Sequence, residues 1–352
     1  LVGVRKLLQL GLSALKGFRV KDENGLRVVR SVYLKIPGSE KQNIRGWSRK
    51  VSKLYTRYQK QFGKPDLILA HSVTWAGYAS SLIHKQYGIP YLVVEHRSFF
   101  VYSTPEARKM VKPFHLPFFE EAFRNCSALV PVSGSLMTGL TKMMPWVEEK
   151  AIMIPHMIRE DMFLPPENPR QTEHFVFFWA GRLEHVKGID ILLEAVHLLR
   201  QKIKKGFIVR LAGKGSLRAE LELQAEKLDL GDKVDFLGRI SREEMQKEMQ
   251  KANCFVLPTR YEAFGVVLIE AMASGLPVIA TRSGGPDTIV TQENGLLIDP
   301  ENAGQLAMAM EEMIGKHKDF SASKIRSDTL GLYGQSAVMK RYDELFQQIL
   351  RK

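Results

Sequence analysis

The sequence predicts an α/β protein built from two doubly wound domains with parallel sheets. Three observations support this fold class. At 352 residues the chain is long enough for two domains. From Leu67 onward, short apolar runs alternate with amphipathic stretches, a pattern typical of parallel strands joined by crossover helices. A hydrophobic content of 45% and a charged content of 25% are ordinary for a globular chain.

The first half begins with a predicted hairpin and a predicted amphipathic helix. The turn residues Asp22 to Gly25 separate two short apolar segments, at 18–20 and 26–32. A helix is expected over 41–63 because its apolar residues recur on one face. Buried strands are then predicted at 67–70, 91–94, 128–131 and 152–154, and helices at 76–86 and 106–126.

The second half alternates more regularly and predicts a complete doubly wound domain. Its strands are expected at 175–179, 207–212, 234–236, 254–257, 278–280 and 296–298. Its helices are expected at 189–202, 217–228, 242–251, 266–274 and 303–314. Ligands of such a domain gather at the carboxyl ends of the strands.

The domain boundaries follow from composition. A Pro-rich, polar segment at 163–173 is the best candidate for a linker, so we expect an N-terminal domain at 1–165 and a C-terminal domain at 166–335. Residues 336–352 follow a Gly-containing break at 331–334. Their apolar stripe predicts a helix that returns to the first domain, and the two domains are expected to face a cleft.

The net charge of +13 is concentrated at one end of the chain. Residues 1–64 contain 16 Lys or Arg against three acids, whereas residues 161–352 contain 26 bases and 27 acids. A local positive field acts on an anionic partner, and nucleic acid and an anionic membrane are the two candidates. Because no nucleic-acid-binding motif or stacking platform accompanies the charges, we expect no nucleic acid partner and favour the membrane.

Location is indicated by the cysteines and by hydropathy. Cys126 and Cys254 lie in apolar, strand-like segments and are predicted to be buried thiols of a reducing compartment. No apolar run approaches the ~20 residues of a membrane-spanning helix, and the N-terminus lacks a signal-peptide pattern. We expect a cytoplasmic protein with peripheral attachment to the inner face of the cell membrane.

The densest chemical signal is the segment PTRYEAFGVVLIEAMAS, which directly follows a predicted strand. A helix starting at Val266 would leave Glu262 in the preceding loop and place Glu270 within the helix. The free N–H groups of Val266 and Val267 would then form an anion site suited to a pyrophosphate. Two solvated acids are the alternative. The apolar neighbours predict a buried helix, where a stray carboxylate is unfavourable, and this favours the functional interpretation.

A second cluster, AGRLEHVKG, also follows a predicted strand. Arg182 lies beside Gly181, and Lys187 lies beside Gly188, so both cations could reach a phosphate from a strand end. Two surface cations on a loop are an equally good interpretation of this motif alone. No D-x-D arrangement follows a strand, so the sequence predicts neither a bound metal nor a cofactor, and cations with a helix dipole must stabilise a departing diphosphate.

These motifs resemble glycosyltransferase family 4, the retaining enzymes with the GT-B fold. The matching segments of the second half are GRL with KG at 181–188, GKG at 213–215, FLG at 236–238, EAFG at 262–265, EAMASGLPVI at 270–279 and GG at 284–285. In the first half the likeness is looser: PD at 65–66, His71, VEH at 94–96, VS at 132–133 and IPH at 154–156. The resemblance is continuous from about Phe175 to Ile314.

The resemblance implies a role for each matching residue. Glu262, with the backbone near Phe264 and Gly265, would hold donor-sugar hydroxyls. Glu270 would accept hydrogen bonds from the ribose. The remaining assignments are the diphosphate for Arg182 and Lys187, the base for the backbone near Arg239, and the far side of the sugar for His96. A structural histidine is nearly as good an interpretation of His96, and His71 would be structural or line the acceptor.

The implied activity is metal-independent, retaining transfer of a hexose-type sugar from a nucleotide-diphosphate sugar, such as a UDP-sugar, to a glycan or lipid-linked acceptor. This activity is typical of polysaccharide, lipopolysaccharide or capsule biosynthesis. Two departures accompany the likeness. His156 replaces the family's usual asparagine, and the family's opening strand with its Gly-Gly loop has no counterpart. Either the chain lacks the first β-α-β unit, which is the better interpretation, or its acceptor side is built differently.

The sequence also bears on three other function classes. A dinucleotide oxidoreductase is discounted because Arg218 occupies the position of the third fingerprint glycine after Gly213 and Gly215. An epimerase or a glycogen phosphorylase relative shares the two-domain layout, but its motifs are not found. The remaining competitor is a non-catalytic nucleotide-sugar-binding subunit, or an inactive fragment of such an enzyme.

Overall fold

The computed structural model describes residues 19–101, 109–167, 173–203 and 206–351. Parts of several sequence predictions lie outside these residues. They are the start of the N-terminal domain and of its hairpin at 1–18, the start of the helix predicted at 106–126, residues 168–172 of the linker predicted at 163–173, and Lys352. Within the described residues the chain is an α/β protein with parallel sheets, as predicted.

The predicted hairpin and amphipathic helix are both present. Strands β1 (Arg19–Glu23) and β2 (Leu26–Arg30) pair antiparallel across a turn in which Asn24 and Gly25 have positive φ. Helix α1 (Glu40–Phe62) follows, and buries one face that includes Ile44 and Tyr55. The sequence pattern therefore predicted the existence of this helix. Val51 and Tyr58 of its apolar stripe are only half-buried, beside the core around Tyr55.

A three-stranded sheet with the strand order β3-β4-β5 follows α1. Its strands are β3 (Ile68–His71), β4 (Tyr91–Glu95) and β5 (Ala128–Pro131). The helices of this region are a π-helix at Ser72–Gly77 that continues into α2 (Tyr78–Tyr87), then α3 (Leu116–Arg124) and α4 (Gly134–Met143). Strand β4 is buried along its whole length, as expected for the centre of a parallel sheet.

One predicted strand is wrong. Residues 152–157 form no strand, although the apolar pattern of 152–154 favoured one. Ile152 and Met153 are 40% and 47% exposed, and only Ile154 of the three is buried. The apolar run is therefore too little buried for a central strand, and Ile158 instead forms an isolated bridge with Gly334.

The second half contains a six-stranded sheet with the order β11-β10-β9-β6-β7-β8, and every registered pair is parallel. Its strands are β6 (Phe175–Arg182), β7 (Phe207–Lys214), β8 (Val234–Gly238), β9 (Cys254–Leu257), β10 (Val278–Thr281) and β11 (Gly295–Ile298). Its helices are α5 (Ile189–Lys202), α6 (Arg218–Lys227), α7 (Arg242–Lys251), α8 (Val266–Ala273), α9 (Pro286–Ile289), α10 (Ala303–Lys316), α11 (Ala322–Tyr333) and α12 (Gln335–Leu350). The strand order reverses between β6 and β9, which makes this pair the switch point of a doubly wound sheet.

The core of this sheet is apolar and aromatic. Phe177 and Trp179 of β6 are fully buried, and they pack with Leu192 and Val196 of α5. The buried run at the centre of the sheet explains why the strand signal was strong in the sequence.

By its internal packing the chain divides into two compact units. One contains Leu1–Glu95 and Val111–Leu129, and the other contains His96–Met110 and Val130–Arg351. This division differs from the boundary predicted at 165. The assignment of domains at 1–165, 166–335 and 336–352, the cleft, and the return of the last helix to the first domain therefore stay predictions.

Candidate functional site

Both motifs found in the sequence lie at the switch point of the six-stranded sheet. Strands β6 and β9 are hydrogen-bonded neighbours in the sheet, with Phe177 opposite Cys254. The segment 181–188 leaves the carboxyl end of β6, and the segment 258–265 leaves the carboxyl end of β9. Doubly wound sheets bind ligands at this place because two loops diverge there and leave a crevice.

The first segment is shaped by glycines that lack room for a side chain. Gly181 and Gly213 face each other across β6 and β7, and a Cβ added at Gly213 would overlap the carbonyl oxygen of Gly181. The N–H of Leu183 then donates to the carbonyl oxygen of Lys214 over 3.1 Å. Arg182, between them, is exposed at the end of the strand. Its guanidinium is therefore accessible from solvent, as a phosphate-binding group requires.

Lys187 and Glu262 meet directly. Lys187 Nζ donates to Glu262 Oε2 over 2.6 Å, and the two side chains are 20% and 16% exposed. Gly188 follows in the left-handed region at φ 64° and is the N-cap residue of α5. A Cβ at Gly188 would overlap the carbonyl oxygen of Pro258, so only glycine lets the two loops approach this closely.

The backbone on either side of Glu262 is fixed by the loop after β10. The N–H of Glu262 donates to Ser283 over 2.9 Å, and its carbonyl oxygen accepts from Gly285 over 2.8 Å. A Cβ at Gly285 would overlap the backbone of Phe264. The Glu262 carboxylate consequently projects from a segment that is held on two sides.

The predicted helix start is confirmed. Gly265 lies at φ 98° and caps α8, which begins at Val266. The first N–H groups of a helix, here those of Val266 and Val267, have no acceptor within the helix. They carry the positive end of the helix dipole, so this end of α8 favours an anion.

Glu270 lies one turn inside α8 and is 7% exposed. Arg242 Nη1, at the start of α7, donates to Glu270 Oε1 over 3.1 Å. Burial raises the pKa of the Glu270 carboxyl above its ordinary value, and the charge and hydrogen bond of Arg242 oppose that rise. The sequence predicted a buried carboxylate here but did not indicate its partner.

His96 belongs to a row of rings that reaches the same loop. Its ring stacks on His156 with centroids 5.8 Å apart, and His156 meets Phe264 edge-on at 5.3 Å. Phe264 in turn contacts Tyr333 at 5.7 Å. His156, which departs from the family pattern, is thus the link between His96 and the Glu262 segment.

The structure brings some predicted residues together and leaves others apart. Lys187 and Glu262 are in contact, and residues 264–267 follow Glu262 along the chain. Arg182 and Arg239 are exposed at the carboxyl ends of β6 and β8, on the same edge of the sheet. The roles of these residues and of Glu270, His96 and Gly181 remain predictions.

Two charged residues at this site were missed. They are Arg242, which pairs with Glu270, and Arg260, which pairs with Asp190. Arg260 lies inside the segment that the motif indicated, but its partner is 70 residues away in sequence. Such pairs carry no local signal, because only the tertiary fold brings them into contact.

The described part of the chain contains neither a candidate metal site nor a candidate membrane-spanning helix. In that part, no group of three or more His, Cys, Asp or Glu side chains could hold a metal ion. No helix of the same residues combines the length and the apolar character needed to cross a membrane.

Two family models match the chain. The model for "Glycosyl transferases group 1" matches residues 162–323, and the model for "Glycosyltransferase Family 4" matches residues 13–161. An uncharacterized glycosyltransferase of Methanocaldococcus jannaschii is 28% identical over 254 residues, which cover 72% of this chain and 66% of that protein. Several curated relatives are matched over less of their length, two of them over 44%.

Solved structures give the same fold. Sucrose-phosphate synthase from Thermosynechococcus elongatus superimposes with a TM-score of 0.80 at 24% identity, covering 98% of this chain and 93% of the other. Anabaena HepE in complex with UDP superimposes with a TM-score of 0.74 at 21% identity, covering 85% and 82%. The chain has the α/β fold of GT-B glycosyltransferases and belongs to glycosyltransferase family 4.

Proposed function

We propose that the protein transfers a hexose-type sugar from a nucleotide-diphosphate sugar to a glycan or lipid-linked acceptor, with retention at the anomeric carbon and without a metal. The observation that carries this proposal is the 2.6 Å contact between Lys187 and Glu262, next to the N-terminus of α8. The cation and the helix N-terminus match the diphosphate of such a donor, and the carboxylate matches its sugar hydroxyls.

The donor would lie along the two loops at the switch point. Lys187 has three N–H donors, so it can keep its bond to Glu262 and still donate to a phosphate oxygen. Arg182 would add a planar fork, and the N–H groups of Val266 and Val267 would meet the diphosphate. Glu262 would accept from sugar hydroxyls with help from the backbone of Phe264 and Gly265.

The nucleoside would extend toward Glu270 and the end of β8. Because Glu270 is buried and ionisation there is unfavourable, a ribose hydroxyl that donates to it would be well matched. Gly181 and the backbone near Arg239 would complete the site. That Anabaena HepE was solved with UDP supports a uracil nucleotide as the first donor to test.

The reaction would proceed by substitution on one face of the sugar. The acceptor oxygen forms a bond to the anomeric carbon as the bond from that carbon to the diphosphate oxygen breaks. The acceptor proton passes to the departing phosphate oxygen, and nucleoside diphosphate leaves. Arg182, Lys187 and the α8 N-terminus would stabilise the charge that develops there, and His96 would contact the far side of the sugar.

The test is transfer from UDP-sugars to sugar and lipid-linked acceptors, with the product anomer assigned by NMR. We expect the product to keep the donor's anomeric configuration and the rate to persist in EDTA. Inversion would contradict the mechanism, and loss in EDTA with recovery on adding Mg²⁺ or Mn²⁺ would contradict metal independence. Binding of donor with neither transfer nor hydrolysis would identify a non-catalytic nucleotide-sugar-binding subunit.

An anionic membrane surface is the second proposed partner, and it would place a lipid-linked acceptor within reach. On α1, Arg45, Arg49, Lys53, Arg57 and Lys60 are exposed and form what we term the basic face. At 100° per residue these five spread over roughly 120° of the helix, opposite the buried side that contains Ile44 and Tyr55. None of the five forms an ion pair within the described residues.

Other features of α1 also favour a membrane over nucleic acid. Its aromatic side chains pack inward: Trp47 contacts Trp75 edge-on at 5.7 Å, and Tyr55 contacts Tyr87 at 5.1 Å. They are therefore poorly placed to stack on bases. Lys50 of the same helix is half-buried and donates to the carbonyl oxygen of Val32, so it does not belong to the basic face.

Vesicle co-sedimentation tests the membrane proposal with the triple variant R49Q/K53Q/R57Q. Each cation near an anionic bilayer contributes about 1 kcal/mol, so removing three should weaken partitioning about a hundredfold. The matched control, K227Q/K318Q/K340Q, removes three exposed lysines from the neutral half of the chain. Equal co-sedimentation of the two variants would contradict the membrane proposal. So would a parent protein that does not sediment with anionic vesicles at low salt.

A further inference from the structure

We propose that Arg260 is a positioning residue that holds the loop carrying Lys187 against the donor site, and that it does not itself bind the donor. The inference rests on the proposed function, because it assigns Lys187 to the diphosphate. Arg260 lies two residues before Glu262, and its side chain is only 11% exposed. A buried guanidinium next to a phosphate site could instead bind the phosphate itself. The hydrogen bonds of Arg260 distinguish the two roles.

All five N–H donors of the Arg260 guanidinium are used within the protein. Nη1 and Nη2 form a fork on Asp190, with distances of 2.9 Å and 2.6 Å to the two carboxylate oxygens. Nη1 also donates to the carbonyl oxygen of His185. Nε and Nη2 donate to the two carboxylate oxygens of Glu301, the latter over 3.2 Å. No donor is left for a ligand, and two carboxylates offset the charge.

Two of the groups that Arg260 binds belong to the loop and to the helix that follows it, whereas Glu301 lies between β11 and α10. His185 begins the short helical turn that ends at Lys187, and Asp190 lies in the first turn of α5. The Arg260 backbone contributes as well, because its N–H donates to Val186 over 2.9 Å. One residue thus holds the loop at two points, His185 and Val186, and the start of α5 at a third, Asp190.

The loop is held from the opposite side by Glu184. Its carboxylate accepts from Ser216 Oγ over 2.8 Å and from the Ser216 N–H over 3.3 Å. The side-chain and backbone hydrogen bonds from Ser216 lower the pKa of Glu184 below its ordinary value. With Glu184 anchored toward β7 and Arg260 anchored after β9, Lys187 has little freedom to leave Glu262.

The electrostatics of the cluster fit a positioning role. Hydrogen bonding to Asp190 raises the pKa of Arg260, so the guanidinium stays charged. Burial alone would raise the pKa of Asp190, but the hydrogen bonds and charge of Arg260 keep it below its ordinary value. The cluster therefore keeps its charges, and its geometry, over the whole neutral range.

The experiment compares R260Q and R260K with R200Q. Arg200 also pairs with two acids, Asp229 at 3.0 Å and Asp232 at 3.6 Å, but makes no contact with the loop. Two readouts are taken on the full chain: UDP affinity by calorimetry, and hydrogen exchange of the backbone at 185–190. D190N serves as a second route to the same loss, should R260Q fold poorly.

We expect R260Q, R260K and D190N to weaken UDP binding about tenfold or more and to speed exchange at 185–190, with R200Q like the parent. Lysine cannot rescue because it lacks the planar fork. In the double variant R260Q/K187A the losses should not multiply, since Arg260 acts through Lys187. The proposal would be overturned if the losses of UDP affinity from R260Q and K187A multiplied in the double variant. It would also be overturned if hydrogen exchange at 185–190 were unchanged in R260Q. A parent chain that binds no UDP would count against the proposed UDP donor, while exchange would still judge the role of Arg260.

Discussion

Replacing Gly188 by alanine perturbs the proposed donor site without touching a charged group. Gly188 is in the left-handed region, with φ 64° and ψ 29°, and a Cβ there would overlap the carbonyl oxygen of Pro258. The substitution therefore acts in two ways. It strains the backbone, and it pushes the loop carrying Lys187 away from the segment carrying Glu262.

The chain offers a control that separates the two effects. Gly88, which ends α2, has nearly the same backbone conformation, with φ 66° and ψ 22°. A Cβ at Gly88 would meet no atom within 4 Å. The variant G88A therefore carries the left-handed strain alone, which is worth roughly 1–2 kcal/mol of stability.

The magnitude for G188A follows from the overlap. The added Cβ would stand well inside the 3.0 Å that such atoms keep from their neighbours, so the loop must shift. A displacement of about 1 Å at a reacting group costs about a hundredfold in rate. We expect G188A to lose about that factor in transfer, beyond a fall in stability like that of G88A.

The assay pairs urea unfolding with UDP calorimetry and UDP-sugar transfer. Both variants should unfold at lower urea than the parent, but only G188A should lose UDP affinity and transfer. Normal affinity and transfer in G188A would refute the close approach of the two loops as the basis of the site. Equal functional losses in both variants would assign the effect to general destabilisation.

Two further predictions concern single residues near the site. E270Q should raise the free energy of unfolding at pH 7 by on the order of 1 kcal/mol, because it removes a buried charge, and should weaken UDP binding. The pKa of Glu270 is higher in the folded than in the unfolded chain. The contribution of Glu270 to stability is therefore full at low pH and is lost as the pH rises through the folded pKa. The gain in E270Q over the parent should therefore be larger at pH 7 than at pH 4, and a gain independent of pH would contradict this cause. S133A should cost about 2 kcal/mol in urea unfolding, because buried Ser133 Oγ caps α4 by accepting from Leu136 over 3.2 Å and donates to Ala263 over 2.6 Å. The control S321A removes an exposed cap, in which Ser321 accepts from the N–H of Lys324 over 3.3 Å, and should cost about 1 kcal/mol. An equal loss of stability in both variants would show that the bond to Ala263 does not account for the larger cost expected in S133A.

The periodic parts of the fold were predictable from the sequence. Helices α5 and α7 have the predicted bounds, and so does β9, because their apolar spacing and flanking polar residues are regular. The start of α8 at Val266 was also predicted, since glycine at the preceding position permits the left-handed cap. These features depend on neighbours in sequence, which a sequence displays directly.

Features that depend on distant residues were not predictable. A break was predicted within the Gly-containing stretch 331–334, and it is present, but at Gly334 alone, because α11 continues to Tyr333. Buried Ile325 and Tyr333 stabilise that helix, and Arg326 donates to the carbonyl oxygens of Phe163 and Ala273 at its side. Tertiary contacts of this kind outweigh the low helix propensity of a single glycine.

The candidate site shows the same division. The motif segments predicted that Lys187 and Glu262 serve one ligand, and the structure places them 2.6 Å apart. The pairs Arg242–Glu270 and Arg260–Asp190 had no signal, because their members are 28 and 70 residues apart. A sequence motif identifies the groups that face a ligand, whereas the groups that hold them in place become visible only in the fold.

The central claim is that a nucleotide-diphosphate sugar binds where the loops after β6 and β9 diverge. A crystal structure of the chain with UDP tests it most directly. We predict a diphosphate in hydrogen-bond contact with Lys187 and the N–H groups of Val266 and Val267, and a ribose hydroxyl on Glu270. A nucleotide bound elsewhere, for example in the cavity of about 510 Å³ lined by Thr288, Asp328 and Tyr333, with Lys187 and Glu262 still paired only to each other, would contradict the account.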